Sequence, residues 1–194
     1  MRYYWVLGRD QIHVNWVIFR EGRGGEIILR DRYRDLACPS CQKLHEIEAV
    51  KRGIDSDVAI LGSSDIVRSA DGFLVLAQRA VNVVESNKIR GLEFVSLPGK
   101  KCSLALPTVQ VATNAERSGV EFYHKCLQCD RYGETCLSPA LDSMSLLDDP
   151  MTIVTSEVPL EKMKTAKTML LAPKAVVDVF KEAKLTGVIY DRAY

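Results

Sequence analysis

Residues 77–94 read Ala-Gln-Arg-Ala-Val-Asn-Val-Val-Glu-Ser-Asn-Lys-Ile-Arg-Gly-Leu-Glu-Phe, and residues 172–190 read Ala-Pro-Lys-Ala-Val-Val-Asp-Val-Phe-Lys-Glu-Ala-Lys-Leu-Thr-Gly-Val-Ile-Tyr. Both predict an amphipathic helix, an apolar residue, a glycine and then an alternating strand. In the first, Ala77, Ala80, Val81 and Val84 recur at three- and four-residue spacings. In the second, Pro173 suits the first helical position. Ala175, Val176, Val179, Phe180 and Ala183 form an apolar face opposite Lys174, Asp178 and Lys181. Gly91 and Gly187 fall where a helix C-terminus turns into a strand, a place that favours positive φ. With one residue inserted in the second copy, Ala77 aligns with Ala172, Ala80 with Ala175, Val81 with Val176 and Val84 with Val179. The match resumes at Lys88 and Lys184, Gly91 and Gly187, and Phe94 and Tyr190.

Each helix also follows a cysteine pair, Cys38-Pro39-Ser40-Cys41 or Cys126-Leu127-Gln128-Cys129. The order CxxC, variable segment, helix, glycine, strand therefore occurs twice, which favours an internal duplication. The expected architecture is one α+β domain over residues 1–194, made of two related halves of approximately 1–100 and 101–194. Each half carries a CxxC knuckle followed by a helix–Gly–strand unit.

Two thiolates spaced CxxC can hold one metal ion from a tight turn, and two such turns supply a closed tetrahedral four-sulfur site. The favoured reading is one structural Zn²⁺ held by Cys38, Cys41, Cys126 and Cys129, joining the two halves. A redox pair is the weaker alternative, because no clear buried strand precedes Cys38 and a second CxxC is superfluous to that chemistry. Buried thiols without a metal rarely arrive as two such pairs. His45, His124 and Cys136 stand near the knuckles as possible substitute ligands, and Cys102 reads as a small buried hydrophobe.

Elsewhere, residues 12–19 alternate and are rich in β-branched and aromatic types, so they predict a strand. Gly22, Gly24 and Gly25 mark a hairpin turn, with a return strand over Glu26 to Arg30. Arg20, Arg23, Arg30, Arg32 and Arg34 alternate with acidic residues and read as a solvated face. Val58 to Leu61 suggests a short buried strand. Residues 103–113 read as extended, with Pro107 marking an edge or a bend. Glu121 to His124 leads into the second knuckle, and residues 142–150, with Asp142, Asp148 and Asp149, read as an acidic loop.

The chain has 194 residues, of which 47% are hydrophobic and 26% charged, an ordinary globular composition. The formal net charge of +1 argues against a dedicated nucleic-acid binder, whose phosphate contacts leave a basic excess. The apolar stretch Tyr3 to Leu7 is too short for a signal peptide, and no run reaches the length needed to cross a bilayer. A cytoplasmic protein is expected, and a reducing cytosol disfavours disulfides. There is no HExxH, GxSxG, P-loop or dinucleotide fingerprint, so a binding protein is expected rather than an enzyme.

The paired knuckles together with Ile89-Arg90-Gly91-Leu92 and Leu185-Thr186-Gly187-Val188-Ile189-Tyr190 resemble the double-CXXCG motif proteins, a group of myxobacterial paralogues. That family includes immunity proteins of polymorphic-toxin systems. The resemblance covers most of the chain in order, and Gln42 and Asp130 stand where the family has a glycine after each knuckle. It implies a zinc-stapled, non-catalytic immunity protein whose partner is a cognate protein toxin. The competing expectation is a zinc-ribbon adaptor for nucleic acid or a transcription complex. Lys43, Lys125 and Arg131 offer it only a faint basic signal against Glu46, Glu48, Asp130 and Glu134.

Overall fold

The computed structural model describes the chain apart from residues 1, 11–15, 45, 59–62, 119–120, 133, 137–143, 157–159, 163–164, 168–169 and 194. It is a mixed α+β protein, mostly sheet with few helices. The first part contains β1 (Tyr3–Asp10), β2 (Phe19–Glu21), β3 (Ile27–Leu29), α1 (Glu46–Lys51), β4 (Ile66–Arg68), β5 (Leu74–Ala77), α2 (Gln78–Ser86) and β6 (Leu92–Ser96). Then come β7 (Cys102–Pro107), β8 (Gln110–Val111), α3 (Ala115–Ser118), β9 (Glu121–Tyr123), β10 (Glu134–Cys136) and β11 (Val154–Ser156). The chain ends with β12 (Leu160–Lys162), β13 (Thr165–Lys167), β14 (Leu170–Pro173), α4 (Lys174–Glu182) and β15 (Val188–Arg192).

Nine strands form one sheet in the order β6-β7-β5-β4-β1-β14-β11-β8, with β15 also on β1; β2–β3, β9–β10 and β12–β13 are separate hairpins. The apolar start Tyr3 to Leu7 belongs to β1, a strand the sequence reading did not anticipate. β1 lies between β14 and β15, antiparallel to both, with Tyr4 opposite Ala172 on one edge and Arg192 on the other. β7 lies in the same way between β5 and β6. The registers correspond: Tyr3 faces Pro173 as Cys102 faces Ala77, and Gly8 faces Val188 as Pro107 faces Leu92.

These pairings correct the alignment of the two helix segments. Ala77 and Pro173 both precede their helices in extended conformation, at φ −65°, ψ 157° and φ −61°, ψ 155°. Lys88 and Lys184 both take left-handed φ, 54° and 51°. With no inserted residue, Ala80, Val81 and Val84 correspond to Val176, Val177 and Phe180, the buried residues of α2 and α4. The inserted residue had matched small alanines; the backbone instead matches buried positions. Pro173 ends β14 one residue before the helix, a boundary difference of the usual size.

Alternation along the strands divides the core. Leu76, Ala105, Leu170, Ala172 and Val6 point toward α2 and α4 on one face. On the other, Val67, Val75, Leu104 and Leu106 meet Val17, Ile18, Tyr33, Val50 and Val58. A smaller cluster of Tyr3, Val111, Met144, Val154, Leu171 and Ala193 completes that side. Gly91 and Gly187 hold φ of +91° and +78°, and a Cβ would lie 1.8 Å from the Ile153 carbonyl oxygen and 2.2 Å from that of Ile66. Only glycine permits both the dihedral and the approach.

Several sequence expectations shift. The β2–β3 hairpin forms at Gly22 to Gly25, but its first strand begins at Phe19; Trp16 to Ile18 are not in a strand, and residues 12–15 lie outside the described residues. Val58 is buried, while the rest of its proposed strand, 59–61, also lies outside them. Pro107 closes an interior strand, not an edge, and the chain bends there before β8. Arg30 is not part of a solvated face: it is 5% exposed, pairs with Asp55 and Asp57, and donates to the carbonyls of Phe19 and Trp16. Asp149 is not simply a solvated acid. Its carboxylate accepts from Met151 N–H, Thr152 Oγ1 and Arg90, ordering the turn into the next strand. Asp142 lies outside the described residues.

The Tyr190 hydroxyl is buried with no hydrogen-bond partner among the described residues, and burial pushes its pKa up to about 12. Phe94 holds the corresponding place, facing Ala105 as Tyr190 faces Val6. Removing an unsatisfied buried hydroxyl should help, so Tyr190→Phe is expected to stabilise the protein by about 1 kcal/mol. Urea unfolding checks this; a loss of stability would show that the hydroxyl has a partner in solution.

Candidate metal centre

Each cysteine pair lies in a tight backbone turn. In the first, Gln42 N–H donates to the Cys38 carbonyl at 2.7 Å and Cys38 N–H to that of Lys43 at 2.8 Å. The second repeats this, with Asp130 N–H to the Cys126 carbonyl at 2.9 Å and Cys126 N–H to that of Arg131 at 2.7 Å. Gln42 and Asp130 both adopt left-handed φ, 59° and 61°, a region that favours glycine. Relieving that strain, Gln42→Gly should raise stability by about 0.5–1 kcal/mol at unchanged metal content. Chemical denaturation of the metal-loaded protein tests this, and a destabilised variant would refute it.

The turns bring the four thiols together. Cys38 Sγ lies 3.9 Å from Cys126 Sγ, and Cys41 Sγ lies 3.5 Å from Cys129 Sγ. All four sulfurs lie within 4.8 Å of one another, and none is in a disulfide. A tetrahedron with metal–sulfur bonds of ~2.3 Å has edges of ~3.8 Å, so the spacing suits one metal ion.

Electrostatics prepare the site unevenly. Backbone N–H groups of Cys41 and Ser40 lower the Cys38 thiol pKa. Those of Cys129 and Gln128 hold Cys126 down to about 6. Desolvation pushes Cys41 up to about 12, because burial resists the charge of a thiolate. A cation would reverse that resistance, since metal coordination favours deprotonated thiols.

His124 is exposed and outside the cluster. His45 lies outside the described residues, as does the side chain of Cys136 in β10. Cys102, read as a small buried hydrophobe, is only half-buried and packs against the core. Among the described residues no other group of three or more potential ligands converges. Sequence reasoning missed Lys43, whose Nζ donates to the Tyr132 carbonyl at 2.7 Å and links the knuckles directly. Its place immediately after the first turn was the available signal.

Comparison with protein-family models and with curated proteins finds no match. Among the described residues, no helix is long and apolar enough to cross a membrane.

Proposed function

We propose that this chain is a non-catalytic immunity protein, stabilised by a structural Zn²⁺ on Cys38, Cys41, Cys126 and Cys129, that binds and neutralises a cognate toxin in the cytoplasm. The observation that carries the proposal is the convergence of four thiols from two distant knuckles. That convergence supports the ligand set implied by the resemblance to double-CXXCG proteins. Zinc fits the donor set, since a four-sulfur tetrahedron suits a structural ion and leaves no position open for catalysis. The same reading takes the chain as two related halves that exchange their first strands, supported by the matching registers around β1 and β7.

Purified protein should carry about one equivalent of zinc, and less than about half an equivalent with all thiols free would overturn the metal assignment. For the partner, the purified protein should bind the product of a neighbouring toxin-like reading frame. Deleting its gene should expose the strain to that toxin. No binding and an unharmed deletion strain would refute the immunity role. Salt-sensitive affinity for DNA or RNA in a filter-binding assay would instead favour an adaptor.

A further inference from the structure

The two knuckles share a backbone geometry but not a foundation. The first rests on a core cluster: Cys38 is 8% exposed, Leu44 is 7% exposed in the cluster of Tyr33 and Val50, and Leu36 and Ala37 pack on the same cluster. The second does not. Its three β9 residues are all exposed, Leu127 at the tip is 98% exposed, and no described residue from 121 to 132 belongs to a core cluster. On that side of the sheet, the described residues of 108–150 that join or pack on the smaller cluster are Val109, Val111, Met144 and Leu146, all outside the knuckle.

Within the second knuckle, Phe122 and Tyr132 pack at 4.8 Å between ring centroids, Lys125 lies over Tyr132, and Lys125 pairs with Asp130 at 2.6 Å. Toward the rest of the molecule it reaches the sulfurs of the first knuckle and Lys43. Its β10 strand runs beside β12, itself part of a separate hairpin. A two-stranded hairpin by itself is marginal in water, and exposed ion pairs contribute little. The order of residues 121–132 therefore needs a stronger tether, and among the described residues the four-thiol site offers one.

We infer that the metal ion is the clasp that docks the second knuckle, so that its release frees residues 121–132 while the nine-stranded sheet stays folded. Metal occupancy thereby decides whether Phe122, Tyr123, Leu127 and Tyr132 are presented as one ordered surface. The inference rests on metal binding at this site but not on the identity of any partner.

Amide hydrogen exchange on the full chain, loaded with zinc and then stripped by a chelator under reducing conditions, tests this. On stripping, peptides from 121–132 should exchange at least about tenfold faster, while those from β5, β7 and β14 change less than about twofold. Full-chain Cys126→Ser and Cys38→Ser should each reproduce the stripped pattern. Uniform loss of protection across the sheet, or aggregation of the stripped protein, would overturn the clasp and make the metal a global stabiliser. Unchanged exchange at 121–132 would overturn it too. A chain that takes up no zinc would fail at the earlier step, the metal assignment itself.

Discussion

Gly91→Ala should destabilise the protein by at least about 3 kcal/mol, more than a positive φ alone explains. Gly91 sits at φ +91°, and the new Cβ would fall 1.8 Å from the Ile153 carbonyl oxygen. At that point Arg90 N–H bonds the Met151 carbonyl and Ile153 N–H bonds that of Arg90, both at 2.9 Å. The clash would separate backbones that satisfy each other's polar groups, leaving buried donors unpaired. Gly99 is the internal control, with φ +65° and nothing within 4 Å of a Cβ. Gly99→Ala should cost only about 1 kcal/mol, the left-handed penalty by itself. Urea denaturation of both variants separates the two effects; equal losses would refute the close approach.

Cys126→Ser should weaken metal binding by well over 100-fold, a loss of roughly 3 kcal/mol or more. A serine hydroxyl is a poor substitute for a thiolate whose pKa is already held down to about 6 by backbone donors. Cys102→Ser should leave the affinity unchanged, since that half-buried cysteine stands outside the four-sulfur group. Competition with a chromophoric chelator reads both. Retained affinity in Cys126→Ser would remove this residue from the ligand set, whereas a loss in Cys102→Ser would point to a global effect.

Legibility in the sequence followed the range of the cause. The helices were readable because the buried positions of α2 and α4 repeat every three or four residues. The β2–β3 turn was readable because glycine clusters mark reversals. Strand β1 was missed because the run Tyr3 to Leu7 is apolar throughout, with buried Val6 serving one face and buried Tyr3 the other. The burial of Arg30 was invisible for another reason: its partners Asp55 and Asp57 arrive from a distant turn, so local charge mixing suggested a solvated face.

By itself the sequence determined the short-range features: two CxxC turns, two amphipathic helices, and two glycines at helix-to-strand turns. Each is a property of a few neighbouring residues, set by dihedral freedom, periodicity or ligand chemistry. Only the tertiary structure decided that β1 runs between β14 and β15, and that four sulfurs meet within 4.8 Å. It also decided that one knuckle stands on a core, while no described residue from 121 to 132 joins one. Those outcomes depend on which surfaces distant segments bury together, and a residue's local neighbours carry no record of that.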